Sequence, residues 1–248
     1  MNELVIIIYG CGTKQKYINE LAVLENTWGK HCSKFNIPKF VFLEETKLNK
    51  EEPLNYIHLP NVMDNYESNI PKTYLGLKWL IDNNIQFNYV LVLGTDSYPN
   101  VPKIVKYLST LPNDSNLYIG NHGDYRNLFG KNYYFHSGGP GFILSKNIVN
   151  ELYPYLAYIH TDWAINVSIS YPYLNGAGDV AISYYLTKYG INYKRIDTPN
   201  ISFSNCNCFG YPCHIGIQKP ENVLSCHLMS PQMMELFTQL LENNNFYL

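Results

Sequence analysis

The stretch YVLVLGTDSYPNV, residues 89–101, runs from an apolar segment into a small polar cluster. Tyr89-Val90-Leu91-Val92-Leu93 reads as a buried strand, apolar throughout and free of polar alternation. Gly94-Thr95-Asp96-Ser97 stops it, and Pro99 turns the chain away. Two readings of Asp96 follow. Asp and Ser ahead of a proline are ordinary turn chemistry. A carboxylate just beyond the carboxyl end of a buried strand is also where open α/β sheets bind metal ions and polar ligands. The stretch alone leaves both standing.

Working outward, strand-like runs recur at 4–9, 39–43, 55–59, 88–93 and 116–119, with helical patterns between them. Residues 17–28 set Leu21, Leu24 and Trp28 on one helical face. Residues 70–82 carry a broad apolar face, with Pro71 suited to the first turn. Val101-Pro102 opens a helix through Leu108. Strands alternating with helices predict a mostly parallel sheet covered on both faces. Later, Gly138-Gly139-Pro140-Gly141 precedes a strand at Phe142-Ile143-Leu144, and Ser145 is placed to cap a helix through Leu152. Gly178-Asp179 opens a helix through Tyr189, and Ser230-Pro231 opens a final amphipathic one. With no repeat, long linker or low-complexity block, the reading is one domain over residues 1–248.

The chain of 248 residues is 46% hydrophobic and 15% charged, enough apolar content for a real core. A net charge of −2 with no basic stripe argues against a nucleic-acid surface. Tyrosine is abundant, 23 residues, and its flat face with a polar tip suits sugars as well as cores. Leu4 to Tyr9 is too short to cross a bilayer and lacks a basic segment before it, so it reads as the first buried strand. No later run is long enough for a membrane span, and the expectation is a cytoplasmic protein. Of six cysteines, Cys206, Cys208 and Cys213, with His214 beside them, are read as free thiols, with zinc binding or a disulfide as alternatives.

Three polar groups sit where elements meet. Asp96 follows a strand, Asp179 lies at a helix N-terminus that favours an anion, and His227 follows the apolar Val223-Leu224. Each has a plain structural reading as turn, cap or core histidine. Ser137-Gly138-Gly139-Pro140-Gly141 offers bare backbone, as a tight turn or as a close approach to a ligand. It lacks the features of a P-loop or a dinucleotide fingerprint, and no G-x-S-x-G, H-E-x-x-H or C-x-x-C is present.

Six blocks in order resemble the inverting β1,3-glycosyltransferases of glycosyltransferase family 31, which includes Fringe and the core 1 galactosyltransferase. They are Thr27-Trp28-Gly29-Lys30-His31-Cys32, Lys72-Thr73 with Lys78-Trp79, Tyr89 to Val101, Ser137 to Lys146, Gly178-Asp179-Val180, and Leu224-Ser225-Cys226-His227 with Pro231 and Met233-Met234-Glu235-Leu236. The resemblance implies a GT-A fold, a Rossmann-like α/β/α sandwich. It implies a UDP-sugar donor, a glycan acceptor and a divalent cation, usually Mn²⁺. Asp96 matches the last Asp of the family's D-D-D motif and His227 its late histidine, both as metal ligands. Asp179 matches the general base. Thr13, Lys72, Gly94, Thr95, Gly138 and Gly139 are assigned to the donor. Trp163, Tyr134 and the tyrosines around Tyr133, Tyr171 and Tyr173 are assigned to stacking on the acceptor. Galactose is the first choice of sugar, since the core 1 branch matches best.

Departures accompany the resemblance. Gly94 and Thr95 replace the first two Asp of D-D-D, Gly178 replaces an acidic residue, and Glu25-Asn26 stand where basic residues precede T-W. These changes suit a remote microbial or viral relative. The rival readings are a non-catalytic relative acting as a binding module or chaperone, and a retaining transferase.

Overall fold

The computed structural model describes residues 3–44, 55–112, 115–121, 124–198, 202–205 and 223–243. Cys206, Cys208, Cys213 and His214 lie outside them. The first half alternates as the pattern predicts. β1 (Leu4–Tyr9) leads through α1 (Gln15–Leu24) and the short α2 (Gly29–Lys34) to β2 (Lys39–Leu43) and β3 (Tyr56–His58). Next come α3 (Asn69–Asp82), β4 (Tyr89–Gly94), β5 (Tyr98–Pro99), α4 (Val101–Leu108) and β6 (Leu117–Gly120). A hairpin of β7 (Tyr125–Leu128) and β8 (Lys131–Tyr134) precedes β9 (Phe142–Ser145) and α5 (Lys146–Leu152). The remainder is α6 (Ile159–Trp163), α7 (Gly178–Lys188), β10 (Lys194–Asp197), β11 (Ser202–Asn205), β12 (Val223–His227) and α8 (Pro231–Asn243).

Seven strands form the main sheet in the order β10-β6-β9-β4-β1-β2-β3. All are parallel except β9, which runs antiparallel between β4 and β6. The central strands are buried on both faces, and their alternation splits cleanly between two cores. Val5 and Ile7 of β1, with Val90 and Val92 of β4, face a core built with Tyr74 and Leu77 of α3 and with α5 and α7. Ile6 and Ile8, with Leu91 and Leu93, face a second core completed by α1, α4 and α8. This is the α/β/α sandwich of a GT-A-like fold. Each fully buried Leu, Ile, Val or Phe here contributes roughly 1.5–3 kcal/mol, so shifting either strand by one residue would exchange the two cores and is strongly disfavoured.

Three local readings change. The helix expected over 17–28 ends at Leu24, and the chain turns before α2. Gly29 makes that turn, because a Cβ there would lie 2.7 Å from the Leu24 carbonyl oxygen. Ser145 does not cap α5 with its side chain; its hydroxyl accepts a hydrogen bond from the Leu117 amide at 3.0 Å and ties β9 to β6. Small strands were also unread: β5 pairs with β12, which pairs with β11 in a separate sheet. Among the described residues no helix is long and apolar enough to cross a membrane. The described cysteines, Cys11, Cys32 and Cys226, are buried and form no disulfide among the described residues, and burial pushes the Cys32 thiol up to about 12.

Candidate active site

β1 and β4 are parallel neighbours in exact step, with Tyr9 opposite Gly94. Their carboxyl ends therefore open at the same level, and a cavity of about 270 Å³ lies there. Asp96 sits in the turn that leaves β4 and lines this cavity. β5 follows at once and pairs antiparallel with β12, setting Cys226 opposite Tyr98. The next residues toward the cavity are Ser97 and His227. The Met229 amide then donates to the Asp96 carbonyl at 2.9 Å. Two short strands thus bring together residues 131 positions apart, with Asp96 Oδ2 and His227 Nε2 separated by 3.4 Å. Both side chains are about one-fifth exposed and line the cavity.

The glycine loop explains itself against this pair. A Cβ on Gly139 would lie 2.3 Å from His227 Nδ1, and one on Gly138 would lie 3.1 Å from the Asp179 Cβ. Gly141 takes φ +90°, where a side chain would be strained. Three side chains pin the loop. The Gly138 amide donates to Asp179 Oδ2 at 2.7 Å, Tyr9 Oη donates to the Gly138 carbonyl at 3.1 Å, and Ser97 Oγ donates to the Gly139 carbonyl at 2.7 Å. Asp179 is in the first turn of α7, and its other oxygen accepts from the Val180 amide at 2.8 Å. Burial raises the Asp179 carboxyl above its ordinary value, and the two amides only partly offset this. The Tyr9 phenol is pushed far up by burial, with Asp179 and Asp96 adding to the effect.

The remaining assigned residues divide. Gly94 and Thr95 line the cavity, but the Thr95 hydroxyl donates to the buried Glu20 carboxylate at 2.5 Å. Burial raises the Glu20 carboxyl, and the Thr95 hydrogen bond opposes that. Lys72 also lines the cavity, yet its amine is held by the Gly10 carbonyl at 2.6 Å and by the Asp64 carboxylate. Lys72 is therefore a clamp on the loop after β1. Thr13 is on the outer side of that clamp, exposed, its amide donating to Asp64 at 3.2 Å. Trp163 is not placed to stack on an acceptor: it is 1% exposed in the core, and its indole N–H donates to the Leu174 carbonyl at 3.0 Å. Tyr134 is half exposed on β8, outside the cavity wall, beside Tyr125 and under the Arg195 guanidinium. Tyr9, Ser97, Asp64 and Tyr66 were missed by sequence reasoning. Tyr9 and Ser97 carried a usable signal, since each ends or follows a buried strand at the same edge as Asp96.

The fold is that of the GT-A-like class. A family model described as Fringe-like matches residues 3–192, and the chain belongs to that family. Among solved structures it is similar to a glycosyltransferase involved in the glycosylation of the major capsid of PBCV-1. The two share 12% identity with a TM-score of 0.54, covering 96% of this chain and 99% of that one. That likeness shows the fold. The catalytic domain of Drosophila β1,4-galactosyltransferase 7 is a more distant match, 10% identical over 61% of this chain and 52% of that one, with a TM-score of 0.33. No curated protein sequence matches significantly.

The glycine contacts make a direct prediction. Gly139→Ala forces the His227 ring to move, and overpacking of this kind should destabilise the protein by about 1–3 kcal/mol. Gly178→Ala is the control, because its Cβ meets nothing closer than 3.7 Å. Thermal melts of both variants check this, and equal melting temperatures would show that the His227 ring moves aside without cost.

Proposed function

We propose that this protein is an inverting, metal-dependent glycosyltransferase. It moves a hexose, galactose first, from a UDP-sugar to a hydroxyl of a glycan or glycoconjugate and forms a β1,3 linkage. The observation that carries this reading is the convergence of Asp96, His227 and Asp179 on one cavity at the carboxyl ends of β1 and β4.

The donor set fits a divalent cation. Asp96 Oδ2 and His227 Nε2 face the cavity together, 3.4 Å apart, and would hold the cation. Carboxylate and imidazole together suit Mn²⁺. When bound, the cation supplies charge neutralisation for the diphosphate leaving group. Among the described residues no group of three or more acidic, His or Cys side chains could hold a metal, so the donor's phosphates and water would complete the shell. Asp179 takes the proton of the attacking acceptor hydroxyl. Burial raises its carboxyl, which makes it a stronger base than an ordinary Asp. The Gly138 amide fixes the orientation of that carboxylate. Attack from the face opposite the departing UDP inverts the anomeric centre. Gly138 and Gly139 let a sugar ring approach the backbone closely.

The non-catalytic alternative draws on the same two-ligand site, since Gly94 and Thr95 stand where two carboxylates would strengthen it. One titration separates the readings. UDP should bind wild type with Mn²⁺, bind at least about tenfold more weakly without it, and fail to bind Asp96→Ala under either condition. A screen of UDP-galactose, UDP-glucose and UDP-N-acetylglucosamine would then name the donor. No UDP binding by wild type with Mn²⁺ would reject the transferase reading.

A further inference from the structure

Outside the cavity, two aromatic rings near its rim are left largely exposed, Phe129 on the β7–β8 turn and Tyr173 on the loop before α7. Phe129 and Gly130 form the two-residue turn between β7 and β8, with Leu128 opposite Lys131. Both have positive φ, +52° for Phe129 and +78° for Gly130. That is the turn type that favours Asn or Gly at the first position, because a side chain with positive φ is strained by about 1–2 kcal/mol. Phe129 gains little burial in return, since it is 54% exposed. A strained backbone with an exposed aromatic ring points to a use outside folding.

The ring does have neighbours. Tyr171 meets it edge-on, 5.3 Å between centroids, and the Tyr171 hydroxyl accepts from the Phe129 amide at 2.9 Å. Tyr173, 68% exposed, stands at 89° to Tyr171 at 6.3 Å. The same loop then enters the cavity wall. Asn175 donates to the Glu67 carboxylate at 2.8 Å, and Gly176 lies so close to Tyr66 that a Cβ would come within 2.4 Å of its ring. Tyr66, Gly176 and Asp179 line the cavity. The loop that carries Tyr171 and Tyr173 thus runs on through Gly176 in the cavity wall to Asp179.

We propose that Phe129, Tyr171 and Tyr173 form the acceptor subsite, a ledge on which pyranose rings of a neutral glycan stack while one hydroxyl reaches Asp179. This rests on the transferase reading and names its acceptor class as a carbohydrate chain. A pyranose presents an apolar C–H face and a rim of hydroxyls. The ledge matches this with ring faces edged by tyrosine hydroxyls and by the Asn175–Glu67 pair. Trp163 and Tyr134 have no part in it.

The test uses saturation-transfer NMR on the whole chain with lactose, cellobiose and xylobiose, on wild type and on Phe129→Asn/Tyr173→Ala. Asn suits the turn, so the variant should melt no lower than wild type while its transfer to sugar ring protons falls about fivefold or more. A merely structural role for Phe129 would not separate stability from binding in that way. Transfer to none of the sugars, or equal transfer in wild type and variant, overturns the proposal. So does binding to phosphatidylcholine vesicles that the variant loses while sugar signals are absent, which would assign the ledge to a lipid surface. UDP titration with Mn²⁺ runs in parallel. UDP binding without sugar contact fails the ledge alone, and sugar contact without UDP binding fails the transferase reading alone.

Discussion

Asp179→Asn is expected to fold normally and to lose transferase activity by about 10²–10⁴-fold, the usual worth of a positioned general base. Asn keeps the shape and can still accept one of the two amide hydrogen bonds now made by Gly138 and Val180. UDP affinity with Mn²⁺ should stay within about twofold, because the change removes no proposed metal ligand. Stability carries a second signature. Burial raises the folded-state carboxyl above the ordinary value of 3.8. The native state therefore holds its proton more tightly than the unfolded state does. Wild-type stability must fall as pH rises from that ordinary value up through the raised one, and below the ordinary value the effect is absent. Asp179→Asn should lack this downward slope, so its stability relative to wild type improves toward neutral pH. The same titration should shape wild-type kcat/KM, with an acid limb lying above the usual carboxylate range. Chemical denaturation at several pH values and a pH–rate profile check both statements. Activity retained within about threefold of wild type would remove Asp179 from the chemistry.

The two-core sandwich was legible because β1 and β4 are buried on both faces, which leaves an unbroken apolar run in sequence. The ends of those runs located Asp96 as well, since Gly94-Thr95 marks where the strand stops. The Asp96–His227 approach was not legible from spacing. It depends on β5 and β12, and β5 spans only Tyr98–Pro99, too short for any period to register. The glycine run offered two readings, and only the positions of His227 and Asp179 against the missing Cβ atoms explain why both Gly138 and Gly139 are needed. Trp163 misled because indole rings serve cores and sugar sites equally well, and composition does not say which. Phe129 escaped notice for the opposite reason. Its signal is a backbone angle, and Phe-Gly does not announce a positive φ as Asn-Gly does.

Lys72→Met should be the most destabilising single change near the site, at about 3–5 kcal/mol, the cost of leaving one member of a buried ion pair alone. The Lys72 and Asp64 side chains are only 2% and 1% exposed. Lys72 reaches from α3 to the Gly10 carbonyl, and Asp64 accepts from the Gly12 amide at 2.6 Å as well as from Thr13. The pair therefore staples the loop after β1, and that loop is one wall of the cavity. With Lys72 gone, Asp64 keeps its amide donors but loses its counter-charge. With Asp64 gone, the Lys72 amine keeps one carbonyl, and the Gly12 and Thr13 amides lose their acceptor. Lys72→Met/Asp64→Leu leaves no stranded charge and should cost less than the two single changes summed, a coupling of at least about 1 kcal/mol. For a chain of this size, about 2–4 °C of melting temperature per kcal/mol puts Lys72→Met roughly 6–20 °C below wild type. Thermal melts of the three variants measure the coupling, and additive losses would mean that the two residues act independently. The double variant also separates staple from ligand. If the pair works only by holding the loop, UDP affinity should fall with loop order in all three variants. If Lys72 touched the donor phosphates directly, Lys72→Met would lose affinity that Asp64→Leu does not. The geometry favours the first outcome, because the amine is already committed to two oxygen partners and turned away from solvent.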